Sequence, residues 1–209
     1  MLGVDLLTFQ EFMTHESLPL ATLHNAILTF LRDRDDVVLF GAQAVNAYVD
    51  EPRMTQDVDL MSTRAAALAE ELRDTLNQRF HIALRIREVG EGKGYRLYQV
   101  QKQGNRHLVD LRPVAVLPLA RRIEQVLVMA PAELIASKVI SSYQRRGKPK
   151  SGTDWRDLAL LLLAFPDLKQ ETSLVRDCLD AAGASSEILA LWSELVATDI
   201  QPETDEDEF

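Results

Sequence analysis

Asp57 and Asp59 occupy alternate positions in an apolar run that reads as a strand over Asp57–Met61. Side chains two apart on a strand share a face, so both carboxylates aim at one spot. Two like charges at one spot call for a cation between them, and oxygen-only clusters suit Mg²⁺ or Mn²⁺. A third carboxylate, Asp110, lies inside Leu108-Val109-Asp110-Leu111. A charge in such a run needs a metal or an arginine partner. Arg112, two residues on and on the same face, is the candidate for the latter. Upstream, Val37–Phe40 ends at Gly41. With no side chain there, a phosphate can approach the backbone and the N-terminus of the following helix. Carboxylates for a metal plus a cradle for phosphate are the parts needed for phosphoryl chemistry.

Several elements must position these residues. A helix is expected over Leu18–Arg34, then a strand over Asp36–Phe40, a helix over Ala42–Val49 ended by Pro52, and the Asp57–Met61 strand. Leu68, Leu72 and Leu76 place one apolar face on a helix over Ala65–Phe80. Strand-like runs follow at Ile82–Val89, Tyr95–Gln101 and His107–Val114. Gly90-Glu91-Gly92-Lys93-Gly94 reads as a hairpin turn, because no helix follows it. Gln103-Gly104-Asn105 closes a second hairpin, and one short strand is expected over Ile123–Met129. From Pro131 the pattern is helical, with helices at Pro131–Arg146, Asp154–Leu163, Glu171–Ala182 and Ser185–Ala197. Leu6, Leu7, Phe9 and Phe12 suggest a short helix or docking arm at the start. A strand–helix–strand opening followed by hairpins indicates an α+β mixed sheet with flanking helices.

The motif Gly41-Ala42, then Arg53-x-Thr55-x-Asp57-x-Asp59, resembles the signature of the nucleotidyltransferase superfamily, with its DNA-polymerase-beta-like fold. Within it the chain is most similar to AbiEii-type nucleotidyltransferases, many of them toxins of toxin–antitoxin systems. That family has Gly-Gly or Gly-Ser where this chain has Gly41-Ala42, a second glycine or a hydroxyl that helps hold the triphosphate. The family pattern also places a lysine and a later arginine on one helix, matched here by Lys138 and Arg145, seven residues apart and about 20° apart around the axis. A helix with Asp-x-x-Asp follows, matched by Asp154 and Asp157. The resemblance implies a nucleotidyltransferase core over 1–130, while the sequence pattern itself gives a helical bundle covering the cleft over 131–198 and an acidic disordered tail over 199–209. The resemblance also implies transfer of an NMP from an NTP to an acceptor hydroxyl of RNA or protein. Asp57, Asp59 and Asp110 would hold two Mg²⁺ or Mn²⁺ ions, and Asp110 would help deprotonate the acceptor. Gly41, Ala42, Arg53, Thr55, Lys138, Arg145 and Asp157 would bind the NTP, and an antitoxin protein is an implied partner. Bland readings stand beside these: Arg53 pairing an acid, Thr55 capping a turn, Asp154 as a helix N-cap, His107 as a strand-end surface residue. A non-catalytic NTP-sensing or partner-binding module is the alternative function.

Composition bounds the rest. Across 209 residues, 46% hydrophobic and 26% charged residues are ordinary for a globular protein. The net charge of −9 owes much to five acids in Glu203–Phe209. Extended DNA binding, which needs many Lys and Arg, is not expected. The basic segment Arg145-Arg146-Gly147-Lys148-Pro149-Lys150 is the expected place for an RNA acceptor. The apolar run Leu158–Pro166 is about half the length of a membrane span, and the start lacks a signal-peptide pattern. A lone cysteine, Cys178, fits a reducing cytoplasm. His15, His24, His81 and His107 show no zinc spacing, and no Gly-x-Ser-x-Gly is present.

Overall fold

Four consecutive apolar residues, Val37–Phe40, are all buried and form strand β1. They follow helix α1, Leu20–Leu31, which buries Leu23, Ala26, Ile27 and Leu31 on one stripe. The computed structural model describes residues 18–102 and 104–202. The expectations for the first ~16 residues, for Gln103 in the second hairpin and for the tail from Glu203 lie outside the described residues. After β1 come α2 (Gly41–Asn46), β2 (Val58–Ser62), α3 (Ala65–Phe80), β3 (Leu84–Val89), β4 (Gly94–Gln99), β5 (Arg106–Pro113), β6 (Ala120–Ile123) and β7 (Val126–Met129). The strands form one mixed sheet in the order β3-β4-β5-β2-β1-β7-β6. β2 and β5 run parallel, while β3, β4 and β5 pair antiparallel.

By Cα clustering the chain divides into two compact units. Among the described residues, one holds 18–39, Met54–Leu117 and Arg122–Leu127; the other holds Phe40–Arg53, Pro118–Arg121 and 128–202. In the first, α3 lies across β2, β3, β4 and β5 and against α1. Its buried Leu68, Leu72 and Leu76 recur every fourth residue, each contributing about 1.5–3 kcal/mol by leaving water. Gly94 opens β4 where the chains run close: a Cβ there would lie 3.1 Å from the Leu111 carbonyl oxygen.

The run read as one strand over Ile123–Met129 is instead two. Glu124 and Gln125 carry φ of 45° and 71°, the paired positive values of a two-residue type I′ turn. Neither is the Asn or Gly that signals such a turn, so the local sequence hides it. Arg122 holds the turn by donating to the Gln125 carbonyl at 2.9 Å and by pairing with Asp35.

In the second unit, α4 (Pro131–Gln144) is the central helix, touched by α5 (Ser151–Ala164), α6 (Leu174–Ala181), α7 (Ser186–Ala197) and the short α2. Pro131 sits in its first turn, where a missing N–H costs nothing. Leu134, Ile135, Val139, Leu158, Leu161, Leu179 and Trp192 build this core. Among the described residues no helix is long and apolar enough to cross a membrane.

Candidate active site

Burial alternates along β2: Val58, Leu60 and Ser62 are buried, Asp59 and Met61 half-buried. The apolar residues thereby fix which face Asp59 presents; Asp57 stands just before the strand. The parallel register sets Asp59 directly beside Asp110 of β5. A carboxylate oxygen of Asp57, one of Asp110 and a ring nitrogen of His107 all lie within 4.8 Å of one another.

His107 was expected at the surface; it is half-buried beside Asp57, its Nδ1 3.1 Å from Oδ2. Strict alternation would put a residue three before Asp110 on the opposite face. β5 does not alternate strictly: Leu97 pairs with Val109, but Tyr98 pairs with His107. Leu108 is therefore a bulge residue, and the extra residue turns His107 toward Asp110's side. The Tyr98 ring lies against the imidazole, centroids 5.0 Å apart. The hydrogen bond to Asp57 comes first among the influences that raise the His107 pKa, with the Asp110 charge adding to it and burial opposing.

The guanidinium on Asp110 belongs to Arg96, whose Nε donates to Oδ1 at 2.8 Å. Alternation within β5 pointed to Arg112. Arg96 comes from the neighbouring strand, directly across from Asp110, a placement that only the register reveals. Thr55 is buried nearby in the chain.

The second unit gathers another set. Asp157 accepts from Arg53 Nε at 2.8 Å and Nη2 at 3.0 Å, and from Lys138 Nζ at 2.5 Å. Burial raises its pKa, but the Arg53 hydrogen bonds and the Lys138 charge outweigh that and hold the carboxyl below its ordinary value. Asn46, the last residue of α2, clamps the Arg53 backbone through both amide atoms, at 2.8 and 3.0 Å. Nothing in the sequence around Asn46 marks it for this. Arg145 does not join Lys138: it donates to both Asp154 oxygens, at 2.9 and 3.1 Å. Asp154 is not the N-cap either. α5 begins three residues earlier, with Lys150 as its N-cap, because the helix extends through Gly152. In the basic segment, Arg146 lies 3.7 Å from Glu194, while Lys148 and Lys150 are exposed. Gly41 has a φ of 69° as the chain turns from β1 into α2, a region that favours glycine.

Comparison with known proteins speaks to the fold and the family. The fold resembles the megavirus polyadenylate synthase with a TM-score of 0.56 at 13% identity, over 70% of this chain and 32% of the viral one. The chain thus spans about a third of that protein's length. JHP933 from Helicobacter pylori matches with a TM-score of 0.53 at 14% identity, over 86% and 91% of the two chains. The antibiotic-resistance factor ANT(2'')-Ia matches at 0.51 and 16% identity, over 83% and 95%. At such identities these likenesses establish the fold alone. A search of curated proteins returns no significant match. The model of the family described as "Nucleotidyl transferase AbiEii toxin, Type IV TA system" matches residues 25–208, nearly the whole chain. The protein belongs to the AbiEii nucleotidyltransferase family.

Proposed function

We propose that the protein moves a nucleoside monophosphate from an NTP to an acceptor hydroxyl of RNA or protein, and that it does so as the cytoplasmic toxin of a toxin–antitoxin pair. The observation that carries this reading is the β2–β5 register, which pairs Asp59 with Asp110, together with the close approach of Asp57 to Asp110. A metal fits these residues. Each carboxylate has about four lone-pair sites, so the Arg96 hydrogen bond and the His107 ring 3.7 Å away leave Asp110 able to ligate. Asp57, Asp59 and Asp110 would hold Mg²⁺ or Mn²⁺, two ions in all. Bound there, the ions supply positive charge against the attacking and leaving oxygens. The acceptor oxygen forms its bond to the α-phosphorus as the bond to the β-phosphate oxygen breaks, and pyrophosphate leaves. Asp110, oriented by Arg96, takes the hydroxyl proton.

Gly41, Ala42, Arg53, Thr55, Lys138, Arg145 and Asp157 are assigned to the nucleotide. Ala42 can offer only its backbone N–H. Lys138 keeps donors beyond the one it gives to Asp157, because an ammonium has three, and Arg53 brings a guanidinium held in place by that same carboxylate. Asp157 acts through them, as their anchor.

The test incubates the protein with each α-³²P-labelled NTP, a divalent metal and a cell lysate. Label should move to RNA or protein, only with metal, and not with Asp59→Asn. Intact NTP binding with no labelled acceptor in any fraction refutes the reading.

A further inference from the structure

The group around Asp57 offers nitrogen as well as oxygen. His107 Nε2 lies 3.1 Å from the Val109 carbonyl oxygen. A carbonyl only accepts, so Nε2 carries the hydrogen. That leaves Nδ1 facing Asp57 Oδ2 at 3.1 Å. Two atoms bearing lone pairs stand so close only with a proton or a metal cation between them. A ring N–H donated to a backbone carbonyl is also the outer contact that orients a metal-bound imidazole. Tyr98 lies against the ring with its plane at 31°, and Arg96 holds Asp110 by donating to Oδ1. Ligands of a small octahedral dication stand about 3 Å apart when adjacent and about 4.2 Å when opposite. The 3.1 Å between Nδ1 and Oδ2 suits an adjacent pair; Asp110, whose Oδ1 lies 3.7 Å from Nε2, brings a second carboxylate oxygen to the group, and closing it on an ion from the Nδ1 side takes a small side-chain rotation.

We propose that His107 Nδ1 is a direct ligand of the divalent cation shared with Asp57 and Asp110, and that this centre selects Mn²⁺ over Mg²⁺. The inference rests on the metal-dependent reading above and adds to it a residue and a metal preference. Carboxylates serve both ions, whereas imidazole suits transition metals and adds little for Mg²⁺. The position is peculiar to the local fold, since it exists only because Leu108 bulges from β5.

The experiment loads the full chain with Mn²⁺ and records electron spin-echo modulation. A directly bound imidazole gives ¹⁴N modulation, which ¹⁵N-histidine labelling should alter and His107→Asn should remove. In parallel, displacement of the aqueous Mn²⁺ signal gives affinities. Mn²⁺ should bind about tenfold more tightly than Mg²⁺, and His107→Asn should weaken Mn²⁺ about 10–100-fold while moving Mg²⁺ by less than about twofold. The labelled wild-type spectrum decides the matter even if the variant folds poorly. Bound Mn²⁺ without nitrogen modulation overturns the inference and leaves the metal-dependent reading standing. Failure to bind any divalent cation overturns both.

Discussion

Neutralising Asp157 removes the carboxylate that Arg53 and Lys138 share. The Asp157 side chain is 1% exposed and Lys138 10%, whereas Arg53 is 27% exposed. In Asp157→Asn the shape persists but two cations converge on a neutral amide. Breaking a buried pair in this way costs about 3–5 kcal/mol. Arg53 can swing toward water and Lys138 cannot, so the lower end, about 3 kcal/mol, is expected. At about 2–4 °C per kcal/mol for a chain of this size, the melting temperature should fall by about 10 °C. Lys138→Met is milder, because Asp157 keeps its bidentate arginine. One charge-assisted hydrogen bond is lost, worth about 1.5–3 kcal/mol. With both changes together, the buried ammonium is gone, so the double variant should be at least about 1 kcal/mol more stable than the sum of the singles predicts. Urea denaturation followed by far-UV circular dichroism measures all three. Additive losses, or a shift below about 2 °C for Asp157→Asn, would falsify the account of this cluster.

The same carboxyl governs an acid limb of stability. Its folded pKa lies below the ordinary value, so its contribution is present above about pH 4 and is lost as pH falls through the folded pKa; Asp157→Asn should flatten that limb in urea titrations from pH 7 to 3. Asp59→Asn, at a half-buried position, should lower NMP transfer by about 10²–10³-fold with an unchanged melting curve; a comparable loss of fold would show Asp59 to be structural. Gly41→Ala places a side chain at a φ of 69° and should cost about 1–2 kcal/mol, readable as a lower urea midpoint. Because Arg145 and Arg146 already face Asp154 and Glu194, Lys148 and Lys150 should carry the steering of an RNA acceptor. Replacing both by Ala should reduce the log–log salt slope of RNA binding by about 1.4 and leave NTP affinity alone; an unchanged slope would remove this segment from the acceptor surface.

What the sequence discloses is what a single element decides. The Leu68, Leu72 and Leu76 spacing places α3 at Ala65–Phe80, the bounds observed. Apolar residues on alternate positions aim Asp59 to one side of β2, since one slip would bury the charge. The misses share a different physics. Glu124 and Gln125 accept left-handed conformations because the strands on either side, held by Arg122 and Asp35, over-determine the turn. Arg96 meets Asp110 through register, and Asn46 meets Arg53, seven positions further along the chain, across a turn. Neither pairing is written in any local pattern.

His107 shows how far one residue can shift chemistry. Counted along the sequence, it stands three before Asp110 and belongs to the other face of a regular strand. Leu108 is fully buried, so an apolar side chain is tucked into the core at the point where β5 has one residue more than β4. Burying it stabilises the bulge by about 1.5–3 kcal/mol, enough to offset the local loss of ladder pairing. The packing of Leu108 thus turns His107 toward Asp57 and Asp110. A site that would have offered carboxylates alone offers an imidazole as well, and it does so because of how a leucine packs.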